Sequence, residues 1–147
     1  MPQLTKEDLS AFLPHAGSMR LIDYVESWDS MTIRCHTRTH RALGNPLRHG
    51  ARLEGVAGLE YAAQAMGIHV GLLNRSGSTD GLIGYIGSLR DVVLSIDRLD
   101  ECAGDLTIDA MRLVEGDRSF MYRFSISSGG QEVMTGRASI FVKALRA

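Results

Sequence analysis

Glu60 is the one acid in a long run of small and apolar residues, GVAGLEYAAQAMGIHVGLL at positions 55–73. A carboxylate among such neighbours is expensive to desolvate, so it is neutralised, hydrogen-bonded or put to use. Apolar surroundings raise a carboxyl pKa and suit the group to deliver a proton as a general acid. The complementary task, taking a proton near neutral pH, suits histidine. The chain has five: His15, His36, His40, His49 and His69. On a helix, His69 falls about 180° around the axis from Glu60, so it reads as a packed or polar helix-face residue. His36 sits in a strand pattern and reads as surface or packing. His49 is the leading candidate base, with His40 and His15 as alternates. The competing reading of Glu60 is a buried acid satisfied by arginine or backbone partners.

Other residue types near Glu60 fit the same chemistry. Backbone N–H groups at the start of a helix, here Gly55, Val56 and Ala57, suit the polarisation of a carbonyl oxygen, with the helix dipole assisting. Gln64 lies one helical turn after Glu60 on the same face, where its amide suits a hydrogen bond between two helices. Asn45-Pro46 marks a turn in the segment leading to the helix. From Ser30 to Leu53 there is no acid but five arginines: Arg34, Arg38, Arg41, Arg48 and Arg52. Arg48 and Arg52 suit a docking rim for an acidic partner, the other reading being a solvated loop surface.

Positioning these groups requires a helix and a sheet. Thr5 and Asp8 resemble a capping box, which predicts a short helix through about Phe12. Residues 19–28 and 31–37 read as a hairpin turning at Asp29-Ser30. Residues 38–54 are irregular. The central helix runs over 55–73, buried on nearly every side. Segments 82–96, 105–115, 118–128 and 131–143 read as strands, with Glu115-Gly116 and Gly129-Gly130 as hairpin turns. The expected order is a helix, two strands, one long helix, then four strands in an antiparallel meander. This is an α+β chain whose central helix is wrapped by a curled antiparallel sheet. Gly84 and Gly87 predict a bend or a close contact in the first strand of the meander.

A chain of 147 residues suits one domain with one core, residues 1–147 together. With 16 basic and 17 acidic residues, overall charge names no nucleic-acid or membrane partner. No apolar run is clean enough to span a bilayer, and the first residues lack a secretory pattern. Cys35 and Cys102 lie outside metal-type spacing and read as free thiols, so the expected location is cytoplasmic with no metal.

The helix sequence resembles the hot-dog fold dehydratases that act on 3-hydroxyacyl thioesters of acyl carrier protein. Gly55-Val56, Glu60 and Ala63-Gln64 match the family's PGV-x-x-x-E-A-x-A-Q, with Tyr61 at the first Ala, and the resemblance implies that Gln64 supports the site. LPHAGSMRLIDYV resembles the family's opening at Leu13, Pro14, His15, Asp23 and Val25. NPLRHG and GLEYAAQA are similar to the divergent dehydratase-like proteins of aryl-polyene and xanthomonadin-type pigment clusters. The family's GHFPG histidine motif is not intact; its offset from Glu60 falls on Pro46, and His49-Gly50 stands nearby. The resemblance implies a hot-dog fold and a lyase in fatty-acid-like or polyene synthesis. It implies no cofactor beyond the phosphopantetheine arm entering with acyl carrier protein. It also implies a site shared across a dimer or higher oligomer, either of identical chains or with another hot-dog subunit. Two alternatives stay open: a thioesterase on the same fold, and a non-catalytic hot-dog partner that binds carrier protein.

Overall fold

The computed structural model describes residues 3–5, 7–11, 20–73, 82–115 and 119–144. Strand β1 (Leu4–Thr5) leads into a one-turn 3-10 helix, Asp8–Ala11. Asp8 accepts hydrogen bonds from the Thr5 N–H and hydroxyl at 3.0 and 3.1 Å. The capping contact therefore forms as expected, but it closes a single tight turn rather than an α-helix; Phe12 lies outside the described residues.

Strands β2 (Tyr24–Trp28) and β3 (Thr32–Thr37) form the expected hairpin. The Asp29 carboxylate fixes its turn by accepting from the N–H groups of Met31 and Thr32 at 2.8 and 2.7 Å. A 3-10 turn at Thr39–Arg41 opens the irregular connection, and another at Gly55–Ala57 starts helix α1 (Gly58–Leu73). Strands β4 (Leu82–Leu94), β5 (Leu106–Glu115), β6 (Ser119–Ser128) and β7 (Gln131–Ala144) follow.

The sheet order is β1-β2-β3-β5-β6-β7-β4, with every pair antiparallel. This corrects the expected four-strand meander. Only β5, β6 and β7 meander; β4 sits at the far edge beside β7, and β5 joins β3. The reason lies in the connections. Gly129 and Gly130, both at positive φ (58° and 80°), make the two-residue turn that locks β6 to β7. Residues 95–105 instead form a longer connection that can cross the helix start. Gly116 lies outside the described residues.

Period-two alternation assigns the two faces of the sheet. Ile33, Cys35, Ile108, Ala110, Tyr122, Phe124, Ile126, Met134, Ala138 and Ile140 are buried against α1. From the helix, Tyr61, Ala62, Ala65, Met66, Ile68, Val70 and Leu72 pack into the same core. Each large aliphatic or aromatic side chain removed from water contributes about 1.5–3 kcal/mol. The result is a hot-dog fold. The helix is not buried on nearly every side, however. Leu59, Glu60, Ala63, Gly67 and Gly71 form a half-exposed stripe, and a Cβ at Gly67 would meet nothing within 4 Å.

The bend expected in β4 is present as two bulges in β4 where it pairs with β7, one at Ile86/Ser88 and one at Arg90/Val93. Gly87 occupies the first, where a Cβ would strike the Phe141 ring. Asp91 occupies the second at a φ of 54°.

Candidate active site

The start of α1 is seated by residues 95–105. Gly55 N–H donates to the Asp97 carbonyl at 2.7 Å, and Leu99 N–H donates to the Leu53 carbonyl at 2.8 Å. Leu53 N–H donates to the Asp100 carboxylate at 2.9 Å. The Arg98 guanidinium, 2.6 Å from Asp100, holds that carboxyl well below its usual range, at about 2. Gly55 allows this close packing, since a Cβ there would collide with the Ile96 carbonyl oxygen. These bonds narrow the expectation of three amide donors. Gly55 is engaged by Asp97, and Ala57 N–H donates to the Glu54 carbonyl at 3.0 Å. Among the described residues no acceptor takes the N–H of Val56, which is 57 % exposed.

Glu60 is half-buried in the first turn of α1, where the helix dipole favours negative charge. Gln64, one turn on and buried, points its amide nitrogen at the Glu60 carboxylate at 3.5 Å. The Gln64 side-chain oxygen accepts from the Leu21 N–H at 2.9 Å. Leu21 is held at its other end too, because its carbonyl accepts from the hydroxyls of Thr37 and Thr39 at 2.5 and 2.7 Å. Thr39 Oγ1 lies 2.9 Å from the Tyr61 phenol oxygen. Asn45 donates to that same oxygen at 3.0 Å and to the Thr39 carbonyl at 3.0 Å. Asn45 is buried and also accepts from the Leu47 N–H at 2.8 Å; Pro46 beside it is exposed. Burial pushes the Tyr61 hydroxyl above its ordinary pKa, so at neutral pH the phenol keeps its proton for these bonds.

A family model described as ApeP dehydratase, ApeP-like, matches residues 7–146. The chain belongs to the ApeP-like dehydratase family. This bears out the resemblance carried by LPHAGSM, NPLRHG and GLEYAAQA. The chain is also similar in structure to the dehydratase heterocomplex ApeI:P from Xenorhabdus doucetiae, at 22% identity and a TM-score of 0.81 over 93% of this chain and 91% of that one. A thioesterase from Haemophilus influenzae matches at 13% identity and a TM-score of 0.67, over 98% and 94%. A hypothetical thioesterase with coenzyme A from Streptococcus pneumoniae matches at 18% identity and a TM-score of 0.58, over 84% and 87%. At these identities the structural likenesses carry the fold alone. No curated protein matches the chain.

The histidines of this ApeP-like chain divide by environment. His69 is fully buried between Tyr122 and the Asp29 carbonyl. His36 stacks on Tyr24 and lies 2.5 Å from the Glu26 carboxylate. His40 is fully buried with Nε2 3.0 Å from the Cys102 carbonyl, and burial lowers its pKa. With Nε2–H held by that carbonyl, the lone pair of the neutral ring lies on Nδ1, which is buried and without a hydrogen-bond partner among the described residues. His49 is exposed in a two-residue turn, paired with Arg52 through backbone bonds of 2.8 and 3.1 Å across Gly50. His15 lies outside the described residues.

The arginines are mostly engaged. Arg34 pairs with Asp109 and Arg41 with Asp105. Arg52 pairs with Glu54 at 2.7 Å. Arg48 turns inward to the carbonyls of Ala51 and His40, at 2.9 and 3.4 Å. No helix among the described residues is long and apolar enough to cross a membrane. A groove of about 550 Å³ opens on the outer face of the sheet, bordered by Arg34, Asp109, Met111, Arg123 and Glu132. None of the residues expected to do chemistry borders it.

The sequence reading missed Thr37, Thr39 and the role of Tyr61. One signal was available: a tyrosine inside a run of small residues on a buried helix needs a partner for its hydroxyl.

Proposed function

We propose that this chain is a subunit of a dehydratase for 3-hydroxyacyl thioesters carried on acyl carrier protein, in fatty-acid-like or polyene synthesis. The observation that carries the reading is Glu60 itself. It is half-buried on the first turn of the central helix, has Gln64 against its carboxylate, and lies one turn from the exposed Val56.

The reaction needs three groups. A histidine takes the proton from the carbon beside the thioester. Glu60, protonated, gives its proton to the departing hydroxyl, so that water leaves as the double bond forms. The Val56 N–H, at the helix start with Gly55 and Ala57 alongside, polarises the thioester carbonyl.

A two-subunit assembly fits this chemistry. Three of the four described histidines are held by structural contacts, and the fourth, His49, is exposed. His49, with His15 as the alternate, is the base this chain offers to a site across an interface. The imidazole for Glu60 then comes from the partner, either a second copy or another hot-dog subunit. Strand β4 supplies a docking edge: among the described residues it pairs only with β7, and it exposes Leu89, Val92, Val93 and Leu94. Unpaired apolar edges call for a cover. Arg48 and Arg52 border the approach for an acidic carrier.

The purified chain, alone and combined with a second hot-dog subunit, is assayed for hydration of a crotonyl-type thioester. Loss of turnover in Glu60→Gln, with the melting temperature within a few degrees of wild type, is the expected result. Unchanged turnover overturns the assignment. Release of thiol in place of hydration favours the thioesterase alternative. Turnover only in the mixture, unaffected by Glu60→Gln, makes this chain a non-catalytic partner.

A further inference from the structure

Three arginines stand in one rank on the outer face of the sheet. Arg123 on β6 is directly opposite Arg137 on β7, and Arg137 is directly opposite Arg90 on β4. Directly opposed residues share a face, and like charges so placed repel one another. All three are exposed. Among the described residues Arg90 and Arg123 have no ion pair. Arg137 has one, with Asp91 at 3.8 Å, and the Asp91 side chain is 73 % exposed. A contact that open to water is worth little. The neighbouring ranks over β6 and β7 are uncharged: Ser125 and Thr135 on one side, Met121 and Ser139 on the other.

We infer that this rank is a docking surface for an acidic helix of a partner protein. Spacing argues for a helix. Adjacent strands lie about 4.8 Å apart, so the three arginines span about 10 Å across the sheet. Carboxylates at i, i+4 and i+7 share one face of a helix and span about 10.5 Å along its axis. Such a helix lies across the strands, one acid to each arginine. The next member of the rank is Met111 on β5, opposite Arg123 and 44 % exposed. It calls for an apolar residue one turn beyond the acid that meets Arg123. The groove of about 550 Å³ follows the same direction, reaching from Ser27 on β2 past Met111 and Arg123 to Thr135 on β7.

The remaining charges select this occupant over others. Asp109 and Glu132 border the same groove off the rank, Asp109 paired with Arg34, and Asp91 stands beside Arg137. A flat anionic lipid surface presses on these acids as well as on the arginines. A nucleic-acid duplex carries a negative charge about every 1.7 Å of its axis, far denser than three arginines answer. A helix about 10 Å wide covers the rank and its uncharged neighbours. A second copy of this face has no rank of three acids to offer among the described residues. The inference does not depend on Glu60 or on the reaction.

The probe is a capped, alanine-based helical peptide with three glutamates spaced four and three apart and a leucine one turn beyond. Its control has the same composition with the glutamates distributed around the helix. Each is titrated into the isotopically labelled full chain and followed by nuclear magnetic resonance. The matched peptide is expected to shift the side-chain Nε–H signals of Arg90, Arg123 and Arg137 together, and to bind less well as salt rises. Arg123→Glu and Arg137→Glu should each weaken binding about tenfold, and Arg123→Gln about threefold, with the circular dichroism spectrum unchanged. Absence of shifts at millimolar peptide overturns the inference. So does equal binding of the control peptide, which describes unspecific charge attraction, or binding by the three variants equal to wild type. Duplex DNA and vesicles of anionic lipid are titrated beside the peptides. Tighter binding of either through the same three arginines replaces the helix with a nucleic acid or a membrane and overturns the inference too.

Discussion

His69 and Tyr122 meet edge to face in the core, with imidazole Nδ1 2.6 Å from the phenol oxygen. The other ring nitrogen lies 2.7 Å from the Asp29 carbonyl. A carbonyl only accepts, so Nε2 carries the proton and Nδ1 accepts from the tyrosine. The imidazole is therefore neutral, and burial, the largest influence on it, holds its pKa below the usual histidine value. Helix α1 is thereby tied to β6 and to the β2–β3 turn by a group that tolerates no charge.

That tie makes stability depend on pH in a definite direction. The folded pKa of His69, like that of His40, lies below the unfolded value of 6.5. On acidification the unfolded chain binds protons first, so stability is complete above about 6.5 and declines as pH falls from there toward the lowered folded values. Melting curves recorded from pH 8 to pH 5 should be level at the upper end and drop by several degrees at the lower. His69→Gln should flatten the slope. A melting temperature constant across this range would contradict the burial argument.

Histidine substitutions should separate stability from turnover. His40→Asn loses a buried ring bonded to the Cys102 carbonyl, and it should melt earlier by an amount worth about 1–3 kcal/mol. His49→Asn changes an exposed side chain and should leave melting within about 0.5 kcal/mol while lowering thioester hydration. His15→Asn belongs in the same series. Full activity in all three would mean that this chain contributes no base.

Two glycines of the helix segment should respond oppositely to a methyl group. Gly55→Ala drives a Cβ into the Ile96 carbonyl and should destabilise by about 1–3 kcal/mol. Gly67→Ala meets nothing within 4 Å and should stabilise the lone subunit by up to about 1 kcal/mol, the difference in helix propensity. Urea unfolding of both variants measures this; equal destabilisation would show that the half-exposed stripe is covered.

Charging the β4 edge should weaken assembly before it weakens folding. Val93, 57 % exposed, and Leu89, 39 % exposed, are suited to replacement by lysine. Sedimentation velocity should show a smaller species for Val93→Lys than for wild type, with the circular dichroism spectrum unchanged. Identical sedimentation would remove β4 from the interface.

Most of the sheet was legible because alternation survives in it. Leu106, Ile108 and Ala110 on β5 and Tyr122, Phe124 and Ile126 on β6 declare their inward face by spacing alone. The place of β4 was not legible. Its residues from Gly87 to Leu94 are exposed on both faces, so no pattern marks its neighbour, and a long connection leaves the crossover open. Glu60 and Gln64 stood out through their types and one-turn spacing. Thr39 and Asn45 did not, because a threonine or asparagine in an irregular segment is ordinarily turn chemistry. Only the tertiary approach of Tyr61 gives them another role. The acceptors of the Gly55 and Ala57 amides were not legible for a related reason: they lie in a residue distant in sequence, Asp97, or one turn back, Glu54.

The twin irregularities of β4, at Gly87 and around Asp91, constrain whatever lies down beside it. A mate must carry complementary kinks at the same spacing, or its ladder falls out of step after a few rungs. Straight, promiscuous strands are turned away by shape, and the exposed rim discriminates between associates the way a notched key does between locks.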